Sequence, residues 1–180
     1  MRPIVELFWN ICLLRTGPER VPTAGVFVAL VVAVNFLVSA LVAMSAPAEP
    51  SLLQAISMPV VAAAVLAGGS WIALRLKDMV HRFIATFTAL MGADTVMTLV
   101  SWPLMLLLGN PSPDGPAGFD WVLILAQLAV VFWWVTIAGF IFSRALALSQ
   151  SQGVAVAVFV ILASLIVSAS LVPMPSPPGQ

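Results

Sequence analysis

The sequence of 180 residues has little charge and a single cysteine. Charged residues make up 8% of the chain and hydrophobic residues 62%, and the mean hydropathy is +1.13. Soluble domains carry roughly 25% charged residues, so a soluble fold of this length could not bury so much apolar surface. Lipid must therefore surround most of the chain. The lone Cys12 excludes an intrachain disulfide.

Positive charge is missing from one side of a series of apolar segments. The seven basic residues are Arg2, Arg15, Arg20, Arg75, Lys77, Arg82 and Arg144. They fall before the first segment, between the second and third, and between the fourth and fifth. Because cytoplasmic loops keep positive charge, this pattern predicts a cytoplasmic N-terminus and an external C-terminus. Scarce bases and zero net charge exclude nucleic acid as a partner.

The predicted fold class is all-α: a polytopic membrane helix bundle with five transmembrane helices and an N-terminal interfacial amphipathic helix. Each apolar run is close to the roughly 20 residues that a span requires. The predicted spans cover residues 24–44, 52–74, 83–108, 121–142 and 153–172. Together they form a membrane domain over residues 23–172, and an external proline-rich tail follows at 173–180.

Residues 1–22 are predicted to form a cytoplasmic interfacial helix and a linker. Arg2, Glu6 and Asn10 recur every four residues and form a polar stripe. The apolar residues of the opposite face are Ile4, Leu7, Phe8, Ile11 and Leu14. This helix extends to about Arg15 and is too short to span a bilayer, so we expect it to lie flat in the membrane interface.

Asp94 is the only acidic residue inside a predicted span. Counted from Phe83 at 1.5 Å per residue, Asp94 lies roughly 16 Å deep, near the bilayer midplane. Asn35 lies at the same depth in the first span, which predicts a hydrogen bond with Asp94 if those spans are neighbours. Ser164 of the fifth span lies near this level, and Thr98 shares a partly polar face with Asp94. These four residues form a candidate intramembrane polar site.

Two interpretations of this polar site are open. An ionised carboxylate in the bilayer costs at least ~2.5–3.5 kcal/mol, which suggests a functional proton or cation site. The second interpretation is a polar clasp that holds helices in register. The clasp hypothesis predicts that an Asp94→Asn variant still folds and assembles. A variant that folded normally but lost all activity would contradict the clasp.

The connection between the second and third spans is the most charged stretch of the chain. Arg75, Lys77 and Arg82 are candidates for contact with anionic lipid. Asp78 and His81 are too few for a metal site, and no nucleophile motif accompanies the histidine. We therefore predict no catalytic residue, no metal site and no cofactor.

Small residues recur at helical spacing in the second span. Ala64 and Gly68 lie four residues apart, and such pairs let another helix approach closely. Packing within the protein is the favoured interpretation. Self-association or contact with other membrane proteins is the alternative.

Three runs of the sequence resemble runs in small uncharacterised bacterial membrane proteins. They are LLRTGPERVP at 13–22, RFIATFTALMGAD at 82–94 and RAL at 144–146. That group resembles the Yip-type family, whose members have five spans and a cytoplasmic N-terminus. The resemblance implies the same fold and topology, and it assigns no functional residue.

Nearly the whole chain is used to span the membrane, and no reactive constellation accompanies the spans. The predicted function is that of a non-enzymatic inner-membrane protein, surrounded by the lipid bilayer, that organises or assists other membrane components. The alternative is a small carrier or channel that uses Asp94 and Asn35.

Overall fold

The structure is a computed structural model that describes residues 2–45, 52–109 and 118–171. Its α-helices are α1 (Arg2–Cys12), α2 (Gly25–Met44), α3 (Leu52–Arg75), α4 (Phe83–Leu108), α5 (Phe119–Ala145) and α6 (Gln150–Leu171). Two short 3-10 turns, Pro18–Arg20 and Val80–Arg82, precede α2 and α4. The predicted tail at 173–180 lies outside the described residues.

Five helices, α2 to α6, are long and apolar enough to span a membrane, and the all-α bundle is confirmed. The ends of α2, α3 and α4 lie within one residue of the predicted span ends. Helix α5 extends beyond the predicted fourth span, 121–142, and continues through polar residues at both ends. Asp120 lies in its first turn and Arg144 in its last, where each charge interacts favourably with the helix dipole.

The start of α6 also differs from the predicted start of the fifth span. The Ser149 hydroxyl accepts a hydrogen bond from the backbone N–H of Gln152 at 3.4 Å. The Gln152 side-chain oxygen accepts one from the Ser149 N–H at 3.2 Å. This reciprocal pair is a capping box. It begins α6 before the apolar run that starts at Gly153, where the sequence alone placed the span.

The five long helices form a ring in the order α2, α3, α6, α5, α4, and α3 also contacts α4 across it. Neighbours around the ring run in opposite directions except α2 and α4, which run the same way because the number of helices is odd. This parallel pair carries Asn35 and Asp94, ten and eleven residues after the first residues of their helices. The two helices are thus in the register that the predicted hydrogen bond requires.

Helix α1 packs against the outside of the ring, on α4 and α5. Phe8, Ile11 and Cys12 are buried there. The Phe8 ring covers Gly92 so closely that a Cβ at that glycine would overlap the ring. The same ring stacks on Phe27, with the ring centroids 6.3 Å apart. The N-terminal helix is therefore part of the hydrophobic core as well as amphipathic.

The C-terminal end of α1 corrects two details of the predicted helix. The Arg15 N–H donates to the Asn10 carbonyl at 2.9 Å. The Leu14 N–H donates to the Ile11 carbonyl, also at 2.9 Å. This pair of bonds is a Schellman motif, which ends α1 before the predicted end at Arg15, with Leu14 at φ 60°. Leu14 and Ile4, both predicted on the apolar face, are exposed.

Burial is concentrated at one end of the ring. The buried residues of α4 lie at or before Met97, and those of α5, apart from Leu123, lie at or after Ile137. Because α4 and α5 run in opposite directions, both sets lie at the end that carries the basic residues, which we call the basic half. There a Cβ on Gly153 would overlap the Gly139 carbonyl oxygen, so α5 and α6 are almost in backbone contact. The opposite end, the open half, is packed more loosely.

Candidate functional site

The predicted hydrogen bond between Asn35 and Asp94 is confirmed. The Asn35 amide nitrogen donates to Asp94 Oδ2 at 2.9 Å, between α2 and α4. The same nitrogen lies 3.1 Å from Thr95 Oγ1 and 3.1 Å from the Met91 carbonyl oxygen. Asn35 is only 3% exposed. A buried amide of this kind requires such partners, so this contact fixes the register of the two helices.

Trp134 is the partner of Asp94 that the sequence analysis missed. Its indole N–H donates to Asp94 Oδ1 at 2.9 Å, from α5. Each carboxylate oxygen therefore accepts a hydrogen bond from a different neighbouring helix. One feature of the sequence pointed to this contact: an indole N–H in mid-span needs an acceptor, and Asp94 is the only carboxylate at that depth.

A cavity of about 530 Å³, partly open to the outside, lies between the helices of the ring beside the Asp94 carboxylate. All five helices of the ring line it, and its polar residues are Asn35, Ser39, Asp94, Trp134 and Ser164. The remaining lining residues are alanine, valine, leucine, isoleucine, methionine and proline. Apolar walls with a few convergent polar groups are typical of small-molecule sites.

The Asp94 carboxylate is not enclosed by protein on all sides. Asn35 is buried, whereas Asp94 is half-buried and lines the cavity. No Lys, Arg or His forms an ion pair with Asp94 in the part of the chain that the structure describes. The carboxylate thus faces the cavity without a cationic partner from the protein, and it still has lone pairs available to a guest.

The structure separates the other two residues of the predicted site. Ser164 lines the cavity, as its depth predicted. Thr98 lies outside both the cavity lining and the hydrogen bonds around Asp94. Thr95 takes that place, since its hydroxyl lies next to the Asn35 amide and donates to the Met91 carbonyl at 2.9 Å. Thr98 is one turn further along α4, toward the open half.

The predicted lipid-contacting residues have different surroundings. The Arg75 guanidinium lies over the Trp71 ring, 5.2 Å from its centroid. Lys77 is exposed. The Arg82 Nη1 donates to the carbonyls at the end of α5 at 3.3 Å. The role of these three residues in lipid contact remains a prediction.

The small residues of α3 face two ways. Ala63 is buried in the core, and a Cβ on Gly69 would touch the Val160 side chain of α6. Ala64 and Gly68 are exposed, and no atom lies within 4 Å of a Cβ built on Gly68. Packing within the described chain therefore does not use the Ala64–Gly68 pair, contrary to the favoured interpretation. Self-association through this pair remains a prediction.

Trp133, the residue before Trp134, connects α5 to α1. Its indole N–H donates to the Cys12 carbonyl at 2.9 Å. The Cys12 side chain is fully buried, and burial raises its pKa from an ordinary 9.0 to about 11. The thiol therefore stays protonated at neutral pH and acts as an apolar core group.

The fold and the site define a class of protein: a multi-pass α-helical membrane protein with a carboxylate-containing cavity between the helices of a five-helix ring. No protein-family model, curated protein or solved structure matches the chain.

Proposed function

We propose that this chain is a non-enzymatic integral membrane protein that holds a lipid-soluble molecule in the cavity beside Asp94 and in this way assists other membrane components. The observation that supports the proposal is the exposure of the Asp94 carboxylate to a cavity of about 530 Å³. A residue that served only as a clasp would be enclosed by its partners. Here the clasp forms one wall of a space large enough for a guest.

The chemistry of the lining favours one kind of guest. Each Asp94 oxygen accepts one hydrogen bond from the protein and can accept another. Most of the remaining lining is apolar. The best guest therefore has an apolar body and one hydrogen-bond donor, above all an ammonium group that also neutralises the carboxylate.

A second candidate function is a small carrier or channel for protons or cations. Ser39 lines the cavity one turn beyond Asn35, toward the open half. A cation bound at Asp94 would have this hydroxyl as a second polar group along the cavity. Cation or proton flux into liposomes containing the purified chain, abolished by Asp94→Asn, would support this second function over simple binding.

Matched probes of equal chain length test the binding function. The full chain is purified in mild detergent, and its thermal unfolding is followed with dodecylamine or with dodecanoate. We expect dodecylamine to raise the unfolding temperature and dodecanoate to leave it unchanged, because only the amine complements Asp94. Asp94→Asn should remove the preference for the amine.

Two variants of α3 supply the control. Ala62 lines the cavity, whereas Ala64, two residues further along, is exposed on the other side of the helix. Ala62→Leu should fill the cavity and remove the response to dodecylamine, and Ala64→Leu should retain it. An Ala62→Leu protein that responds like the unmodified chain would overturn the proposal.

We further propose that the chain lies in the inner, cytoplasmic membrane with its N-terminus inside and its C-terminus outside. The one-sided distribution of basic residues supports this orientation. Kinship with the Yip-type five-span proteins is part of the same proposal, and the five candidate spans are compatible with it. Reporter fusions after α3 and after α4 test the orientation, since only the first should be active in the cytoplasm.

A further inference from the structure

A second cavity, of about 420 Å³, lies in the basic half and shares no lining residue with the cavity beside Asp94. It is bordered by the turns Pro18–Arg20 and Val80–Arg82, the first turn of α4 and the last turn of α5. Its charged and polar lining residues are Glu19, His81, Arg82, Thr86 and Arg144. Two guanidinium groups from different helices thus border one small space, with a single carboxylate.

Each of the two guanidinium groups makes contacts with the protein on one side. Arg82 Nη1 donates to the carbonyl oxygens of Arg144 and Ala145 at 3.3 Å, at the C-terminal end of α5. The Arg144 guanidinium lies over the Phe140 ring, 5.4 Å from its centroid. A guanidinium has five N–H donors, so these contacts leave most of them unused. In the described chain neither arginine forms an ion pair.

The cavity lies at one end of the spanning helices. Helix α4 begins and α5 ends beside it, so it lies where the apolar spans give way to the polar interface. Guanidinium groups bind phosphate through pairs of parallel hydrogen bonds, which a lone ammonium cannot form. We propose that this cavity binds an anionic phosphate group through Arg82 and Arg144, supplied by a lipid headgroup or by a soluble phosphate.

This site differs from a general attraction of basic residues to lipid. Arg75 and Lys77 lie at the same end of the protein but do not line the cavity. Arg75 is instead stacked on Trp71. Glu19, the one acid in the lining, repels an anion, so its neutralisation should strengthen binding.

Native mass spectrometry of the purified full chain tests the site. Phosphatidylglycerol is added and compared with phosphatidylcholine, whose choline group cancels the phosphate charge. We expect the chain to retain phosphatidylglycerol selectively. The affinity should be about tenfold weaker in Arg144→Gln, since that variant loses charge-assisted hydrogen bonds. Arg75→Gln removes the same charge outside the cavity and should bind as the unmodified chain does. Glu19→Gln should bind more tightly.

A second arm distinguishes the two sources of phosphate. Sodium phosphate replaces sodium chloride at equal ionic strength. If phosphatidylglycerol stays bound, the ligand is the lipid headgroup. If inorganic phosphate binds and displaces the lipid, the ligand is the soluble anion. The proposal would be overturned if Arg75→Gln and Arg144→Gln lost phosphatidylglycerol binding equally. It would also be overturned if the chain retained neither phosphatidylglycerol nor inorganic phosphate selectively. Because Asp94 is untouched, the dodecylamine response should persist in every variant, which also shows that each variant folds.

Discussion

The basic half and the open half of the ring are built differently although the same helices cross both. In the basic half, α1 adds a layer on α4 and α5, and Phe8 covers Gly92 directly. In the open half, the residues of α4 after Met97 and most of α5 before Ile137 are not buried. The comparison shows that one end is closely packed, whereas the other end surrounds a cavity.

The boundary between the halves coincides with the polar contacts. Asp94 directly follows the continuous run of buried residues in α4, 88–93, and joins α2 and α5 to this helix. Hydrogen bonds between membrane helices are worth about 0.6 kcal/mol on average, so they specify register more than they supply stability. Apolar packing in the basic half therefore carries most of the stability. The predictions below test this division, in order of decreasing expected effect.

The largest effect is expected from an added methyl group where α5 meets α6. Gly153→Ala places a Cβ on the Gly139 carbonyl oxygen, and backbone cannot give way as a side chain can. We expect a loss of about 3 kcal/mol of unfolding free energy. Gly68→Ala is the matched control, since nothing lies near its Cβ and alanine favours the helix. Unfolding in mixed micelles measures both, and equal losses would contradict the close backbone approach of α5 and α6 at Gly153.

The second effect concerns the polar boundary. Asp94→Leu leaves the Trp134 indole N–H without its acceptor and deprives Asn35 of its shortest hydrogen bond, so we expect a loss of about 2 kcal/mol. Asp94→Asn keeps an oxygen for Trp134 and should cost less than half as much. The same unfolding assay applies. An Asp94→Asn protein as unstable as Asp94→Leu would show that the negative charge itself holds the helices.

A third pair of variants compares the cost of added side-chain volume in the packed core and beside the cavity. Ala157 is fully buried in the basic half, whereas Ala62 borders the cavity. Ala157→Leu should cost about 1–2 kcal/mol through overpacking. Ala62→Leu should change the unfolding free energy by less than that, because the cavity accepts the added carbons. If Ala62→Leu proved as costly as Ala157→Leu, the cavity would not be available space.

The smallest effect is a dependence of stability on pH from Cys12. Burial raises the pKa of this thiol in the folded chain from 9.0 to about 11. The stabilisation of the folded chain by this buried thiol is fully present below pH 9 and is lost as the pH rises toward 11. In this range the unfolded chain releases the thiol proton while the folded chain keeps it. Unfolding temperatures measured across this window should fall more steeply for the unmodified chain than for Cys12→Ala. Parallel curves would contradict the burial of the thiol.

The sequence predicted the spans and their register because both follow from hydrophobic length and helical rise. Asn35 and Asp94 were matched by depth alone. Thr98 was added because helical spacing puts it on the same face as Asp94. Depth and spacing do not give the rotation of each helix toward its neighbours, so the contacts of Thr95 and Trp134 were missed. The order of helices around the ring and the inward packing of α1 depend on the tertiary fit of side chains, which no periodicity of the sequence encodes.

The central claim is that Asp94 borders a cavity that a small molecule can enter. In a Cys12→Ala background, Ser164→Cys places a thiol in the cavity lining and Ser70→Cys places one in the packed core of the same ring. The rate of reaction with 2-aminoethyl methanethiosulfonate, a small cationic reagent, measures access to each thiol. We predict rapid modification of Ser164→Cys, slower when Asp94→Asn is added, and no modification of Ser70→Cys. Equal rates at the two positions, or no reaction at Ser164→Cys, would contradict the account.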